Sequence, residues 1–484
     1  MEKPRFRDRR PADISEGEPN KKMVNLIVEL SKFTLLTLMV CYTLHCLYLV
    51  HAQAQGDTEI STALERLLLF AIDTVAFMVL YLKSGDRMVV FLYLGMMALF
   101  TVIMVLYHLL YPFSSRLLLN NTCCFLSIGL IMLARLDMEA AWKQFLIAVG
   151  TCLLCLAVPV MIRRMRFLKK LTWIYGGAGV VLLAAVFALA RTSYGAKLSL
   201  MGVQPSEAIK ITFVFFMASL LWRRVTMKKV LIATGVAALH VGILVLSRDL
   251  GSALIYFIVY LVMIYTSTRK VLYLGAGIGG GAVASVAAYH IFGHVQERIS
   301  AWRDPMAVYE NEGYQIVQSL FAIGTGGWFG MGLYQGSPQI IPIVKNDFIF
   351  SAICEELGVI FAICLILLCL CFFMMILNIA LEIRSPFYKL IALGIGTLYA
   401  TQVFLTIGGA MKFIPLTGVT LPLVSYGGSS LVSTLLMLSI IQGLYIFRED
   451  EDEEIERLRR EALSAKNARP FFKRKTDAGP RYRR

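Results

Sequence analysis

The chain is predicted to be an all-α, polytopic integral membrane protein, and three observations carry that prediction. Of its 484 residues, 58% are hydrophobic and only 16% are charged, whereas a soluble domain carries about a quarter charged residues. The apolar excess falls in repeated stretches of roughly 17–25 residues, the length at which a helix spans a bilayer. Lys and Arg gather in short loops and at the two ends, the distribution that membrane orientation imposes. The net charge of +15 therefore speaks for orientation, and no nucleic-acid partner is expected.

In chain order, residues 1–22 are basic and polar and are expected to be disordered. Spans are predicted over 24–50, 62–83 and 88–111, then over 118–135, 142–161, 171–190, 206–222, 229–246, 252–267 and 271–292. One long polar insert follows, residues 294–346, before spans over 347–378, 387–412 and 427–447. No cleavable signal peptide is expected, because the first apolar run begins after 22 polar residues and is too long for an h-region. The segment after Phe447 reads as a solvated, partly disordered tail: an acidic run from Glu449 to Glu454, then a basic end suited to anionic lipid heads. The ten cysteines sit mostly in apolar segments, and Cys152 and Cys155, a CxxC by spacing, read as small buried hydrophobes inside a span.

The basic loops set an orientation. Arg163, Arg164, Arg166, Lys169 and Lys170 form one, Arg223, Arg224, Lys228 and Lys229 another, and Arg269 with Lys270 a third. Together with the tail they share one side, read as cytoplasmic. The insert, the Gly195-Ala196-Lys197 loop and the Arg248-Asp249 turn then lie outside. Thirteen spans with a cytoplasmic C-terminus would place the basic N-terminus outside, so one span among 24–135 is expected to be interfacial or broken.

Several motifs stand out against this background. Gly275, Gly277 and Gly280 fit GxGxxG, but no strand precedes them, so they read as small residues that let helices approach closely. Gln204-Pro205-Ser206 is helix-start chemistry. Glu207 and Lys210 lie three apart on one helix face at the membrane edge, where a pair facing a polar cavity is the sharper reading. Ser247-Arg248-Asp249-Leu250-Gly251 is a charged turn. Glu355 and Glu356, early in a span, should face protein or water. The stretch from Thr417 to Ser430, broken by Pro422 and Gly427-Gly428, reads as a polar cavity wall, because irregular backbone at membrane depth survives only in such places. The insert carries Glu297, Arg298, Asp304-Pro305, Glu310, Glu312 and Gly313-Tyr314-Gln315. A carboxylate there can accept a proton from a sugar hydroxyl when within hydrogen-bond reach.

Together, Gly195-Ala196-Lys197, Gln204-Pro205-Ser206-Glu207, Asp249-Leu250-Gly251, Gly313-Tyr314-Gln315, Asp347-Phe348-Ile349-Phe350, Glu355-Glu356-Leu357-Gly358 and Pro422 to Ser430 resemble the SEDS family (FtsW/RodA/SpoVE-like) of bacterial cell-wall proteins. The resemblance implies a core of about ten spans over 116–447, preceded by an extra N-terminal membrane module of two to three spans over 23–115 and followed by a charged cytoplasmic tail over 448–484. It implies a multi-pass protein of the bacterial plasma membrane. The implied activity is a peptidoglycan glycosyltransferase that polymerises lipid-linked disaccharide-peptide (lipid II) for cell division, elongation or sporulation, beside a class B penicillin-binding protein. The alternatives are a non-catalytic scaffold for that transpeptidase and a lipid-precursor flippase. No cofactor is certain. A divalent cation, Mg or Mn, would neutralise the pyrophosphate leaving group, and no metal ligands are assigned.

Asp304 is the catalytic candidate. Lys197, Lys210, Arg248 and Arg298 are candidates to contact the pyrophosphate. Glu207, Asp249, Gln315, Asp347 and Ser425 complete the substrate-binding set. The chain departs from the family pattern at two places. Counted back from Gly313, Asp304-Pro305 matches the first of two Asp-Pro-like steps, and Val308 falls where the essential Asp of the second belongs. Either Asp304, Glu310 or Glu312 takes over, or the member is weakly active or inactive. Lys345-Asn346 replaces the usual His-Thr.

Overall fold

The computed structural model describes residues 18–54, 62–189, 191–193, 196–199, 204–310 and 313–467. Its architecture is helical. α1 (Glu18–Ala54), α2 (Ala63–Ser84) and α3 (Arg87–Leu110) come first, followed by α4 (Arg116–Leu136), α5 (Met138–Cys155), the short α6 (Val158–Arg164) and α7 (Thr172–Leu189). A two-stranded antiparallel ribbon, β1 (Arg191–Ser193) with β2 (Ala196–Ser199), leads to α8 (Pro205–Leu221), α9 (Met227–Leu246), α10 (Leu250–Thr268) and α11 (Val271–Ile291). The insert holds α12 (Gly293–Arg303) and α13 (Gly313–Gly326). Then come α14 (Ile349–Leu357), α15 (Val359–Glu382), α16 (Pro386–Ala410) and α17 (Gly428–Asn467).

Eleven helices among the described residues are long and apolar enough to cross a membrane. If the shorter α7 and α8 are counted with them, there are ten span-like helices from α4 onward and three before it. The core sits in α4, α8, α16 and the part of α17 up to Ile446, whose residues are mostly buried. α11 is the opposite case, with no buried residue. Of its glycines, Gly277 meets Leu261 and Gly281 meets Phe257, both of α10, while Gly275, Gly279 and Gly280 face open space. The close-approach reading thus holds on one side of the helix only.

Four expectations change. α1, α2 and α3 are each unbroken and of spanning length, so none of these early spans is broken. The start of α1 lies against the insert: Phe33 meets Phe329 at 5.9 Å between ring centroids, and Lys83 at the end of α2 donates to Asn25 at 2.8 Å. The other end of α1 brings Gln53 to a pocket with Glu382 and Arg448. The start of α1 and the Arg448 region of α17 therefore lie at opposite faces. Second, helix begins at Glu18, inside the segment expected to be disordered, and residues 1–17 lie outside the described residues. Third, α17 runs on through the acidic run to Asn467, because Glu and Arg at helical spacing, such as Arg457 with Glu461, support one another.

The last change concerns the span expected over 347–378, which is two helices. Gly358 has φ +90° and ends α14, and only α15 reaches spanning length. The break is stitched to the glycine-rich half of the insert. Met331 N–H donates to the Glu355 carbonyl at 2.9 Å, Gly332 N–H to the Glu356 carbonyl at 2.8 Å, and Val359 N–H to the Gly327 carbonyl at 2.9 Å. Gly330 has φ +79°, and a Cβ there would stand 2.4 Å from the Glu356 carbonyl oxygen, so this approach excludes a side chain.

Candidate active site

Alternation of the helices sorts the charged segments. The clusters around Arg163, Arg223 and Arg269 lie on one face with Arg448, and Arg163 pairs with Asp450 of α17 at 2.7 Å. The opposite face carries the α4–α5 turn, the ribbon, the α9–α10 turn, the insert and the loop 412–427.

That loop is the spine of the site. Gln402, fully buried in α16, donates to the Thr420 carbonyl at 3.0 Å and accepts from Lys210 at 3.2 Å. Lys210 is 0% exposed and pairs with Glu207 at 2.8 Å, one turn earlier on α8. Ser206, next to Glu207, donates to Asp249 at 3.3 Å, and the other Asp249 oxygen caps α10 by accepting from Ser252 N–H at 3.0 Å. Further along, the Ser425 hydroxyl donates to the Asn346 carbonyl at 2.5 Å and accepts from Leu421 N–H at 2.9 Å. Tyr426 N–H donates to the Lys345 carbonyl at 2.8 Å.

At Gly418, with φ +73°, the backbone is bare. A Cβ built there would lie 3.8 Å from both Arg298 Nη2 and Asp347 Oδ2, so α12, the loop and the turn ahead of α14 meet at this point. Arg298 also donates to the Leu416 carbonyl at 3.2 Å. Burial pushes the Asp347 carboxyl up to about 6, against the opposing pull of Arg298.

Glu355 and Glu356 serve the architecture. Glu355 accepts from Ser337 N–H at 2.8 Å. Glu356 takes Arg135 at 2.8 Å, and the same guanidinium donates to the Gly336 carbonyl at 3.1 Å and lies 4.1 Å from the Tyr334 ring centroid. Among the described residues no three His, Cys, Asp or Glu side chains converge as a metal ion would require.

A family model described as a cell cycle protein of the FtsW, RodA and SpoVE type matches residues 115–449. This chain belongs to the FtsW/RodA/SpoVE family. The peptidoglycan glycosyltransferase RodA of Mycobacterium tuberculosis is 34% identical over 366 residues, covering 68% of this chain and 77% of the relative. The probable peptidoglycan glycosyltransferase FtsW of Tolumonas auensis is 32% identical over 357 residues, covering 68% and 91%. Among solved structures, a chain from a peptidoglycan synthase complex that coordinates polymerization and crosslinking superposes with TM-score 0.60 at 25% identity, covering 69% of this chain and 98% of that one. The rod shape determining protein RodA of Thermus thermophilus, at 23% identity and TM-score 0.51 over 69% and 96%, shares the fold. The helices α1 to α3 precede the family match.

For this FtsW/RodA/SpoVE member, the remaining candidates are dispersed. Asp304 ends α12 exposed, and its Oδ1 accepts from Ala307 N–H at 3.2 Å, so the carboxylate caps its own turn. Val308, half-buried in that turn, lends its carbonyl to Gly313 N–H at 3.1 Å. Glu310 is exposed, and Glu312 lies outside the described residues. Gln315 is half-buried on α13. Only the backbone of Lys197 is described, on β2. Arg248, at φ +65°, borders a cleft of about 410 Å³ together with His294 and Glu297. Burial, then Arg248 and Arg298, hold the His294 imidazole below its ordinary value.

Sequence reasoning missed Arg135, Asp137, Gln144 and Gln402. Lys345 pairs with Asp137 at 2.5 Å, and Gln144 donates to the Ser425 carbonyl at 3.0 Å and accepts from Gly427 N–H at 3.2 Å. The available signal was a lone amide in an apolar span, which belongs against protein polar groups rather than lipid. The Lys345–Asp137 pair also gives Lys345 a local role where the family pattern has His.

Proposed function

We propose that this FtsW/RodA/SpoVE member polymerises lipid II, the lipid-linked disaccharide-peptide, into peptidoglycan glycan strands at the face that carries the insert. The observation that supports it most is the convergence around loop 412–427 of residues scattered from 204 to 430. Buried charge of both signs, hydroxyls and bare backbone meet there at one end of an apolar bundle. Positively charged loops gather on the opposite face, which supports an outward insert and a cytoplasmic C-terminus in a bacterial plasma membrane. The relation to a chain from a synthase complex supports a penicillin-binding protein as partner, of class B in this reading.

Arg298, Arg248 and Lys197 are assigned to the diphosphate, whose departing charge cations stabilise. Lys210, tied to Glu207 and Gln402, orders the polar layer beneath it, and Asp249, Gln315 and Ser425 are assigned to the substrate-binding set beside it. Asp304, and Glu310 on the same turn, are the loop acids assigned to face the acceptor sugar. The described residues include no group of three His, Cys, Asp or Glu side chains that could hold a metal ion; a divalent cation, Mg or Mn, would be held chiefly by the diphosphate and water, and no step is routed through one. Labelled lipid II incubated with the purified protein and its transpeptidase should yield glycan polymer; an absence of product beside a working control refutes the activity.

A scaffold that holds the transpeptidase is the second reading, favoured by Val308 in the register of an essential Asp. Under it, Asp304→Asn, Glu310→Gln and Glu312→Gln would each support growth fully.

A further inference from the structure

We propose that Asp347 is the general base of this polymerisation, taking the proton of the acceptor hydroxyl beside Gly418 while Arg298 faces the leaving diphosphate. The inference rests on the polymerase reading and departs from the insert's own acids.

It follows from what the carboxylates on this face are already doing, apart from Glu297 and Glu310, which are exposed to water. Glu207 is paired with Lys210, Glu356 with Arg135 and Asp137 with Lys345. Glu355 accepts from Ser337 N–H, Asp249 from Ser206 and Ser252, and Asp304 from Ala307 N–H. Asp347 differs: among the described residues its carboxylate takes no hydrogen bond and no ion pair, although it is half-buried. A carboxylate that structure does not use, withdrawn from water yet not sealed, is what proton abstraction requires.

Its surroundings suit the reaction. The Cβ position of Gly418 lies 3.8 Å from both Asp347 Oδ2 and Arg298 Nη2, so the two side chains converge on backbone that carries no side chain of its own. Arg298 is the one charge that acts on Asp347 among the described residues; Lys345, two residues away, is engaged by Asp137. A carboxyl raised to about 6 is a stronger base than an exposed one and remains ionised at neutral pH.

In the step, the acceptor hydroxyl oxygen forms a bond to the anomeric carbon of the donor sugar. The bond from that carbon to the diphosphate oxygen breaks, and its electron pair leaves on the diphosphate. The hydroxyl proton passes to an Asp347 oxygen. No oxidant or further reactant is needed.

The test is polymerisation of labelled lipid II by the full-length protein with its transpeptidase, over pH from about 5 to 9. Wild type should lose rate as pH falls through about 6. Asp347→Asn should lose about 100-fold or more in rate while melting no lower than wild type and still binding lipid II. Asp347→Glu should retain part of the rate with a displaced acid limb. Arg298→Gln should move that limb to higher pH, because the cation that favours ionisation is gone. Asp304→Asn and Glu310→Gln should keep the limb in place. Asp347→Asn activity within a few-fold of wild type, or an acid limb lost in Asp304→Asn or Glu310→Gln, overturns the assignment. Wild-type protein that makes no polymer removes the polymerase reading and this inference with it.

Discussion

Asp347 and Asp304 are the same chemical group in two settings. The exposed Asp304 carboxylate closes a turn by accepting a backbone N–H. Asp347 is half-buried with no such donor, and burial lifts it from an ordinary value of 3.8 to about 6. The sign of the stability effect follows. Between those two values the folded chain holds a proton that the unfolded chain has released, so stability falls as pH rises through that window and stays lowered above it. Replacing Asp347 by Asn removes the cost. The variant is expected to melt above wild type at pH near 7.5, and the two should converge below about pH 4. Thermal melts in detergent across that range check it, and a variant melting lower at neutral pH contradicts the account.

At the scale of elements, the decisive joint is the α14–α15 break. The acidic pair Glu355-Glu356 announces itself in sequence as a costly feature near a membrane. What it does depends on Arg135, which is more than 200 residues away and comes to it only because α4 packs beside α14. The Arg135 side chain is 10% exposed and that of Glu356 is 0% exposed. Removing the cation strands a buried carboxylate, so Arg135→Leu should cost about 3–5 kcal/mol. Arg135→Leu combined with Glu356→Met should recover most of that loss, because both buried charges are gone. Denaturation of the single and double variants measures the difference; equal losses in the two would mean that the pair is not what locks α4 to the insert. Helices were readable from apolar length alone, as α3 and α15 show. The division of the span expected over 347–378 was not, since Gly358 looks like any other glycine until its φ is known.

For the whole molecule, three span-like helices ahead of α4 and ten from it onward, counting α7 and α8, are an odd total, and α1 starts against the insert. A tag at the N-terminus should therefore be accessible from the insert side of intact cells and one at the C-terminus should not. Protease protection of the two tags decides it, and protection of both would show that one of α1 to α3 fails to cross. The same arrangement sets apart α1 to α3, which lie before the family match yet pack into the bundle: α2 against α4 through Glu65 and Asn120 at 3.2 Å, and α1 against α15.

By itself the sequence determined the membrane class, the rough positions of the helices, the common side of the basic loops and the family. All four rest on composition and local order along the chain, which hydrophobic length and charge encode directly. Only the tertiary structure decided which polar groups meet. Lys210 with Gln402, Arg135 with Glu356, Lys345 with Asp137, and Asp347 with Arg298 at Gly418 each join segments far apart in the chain. Whether a carboxylate is paired, capping or left available depends on packing across the bundle, and no spacing within one segment records it.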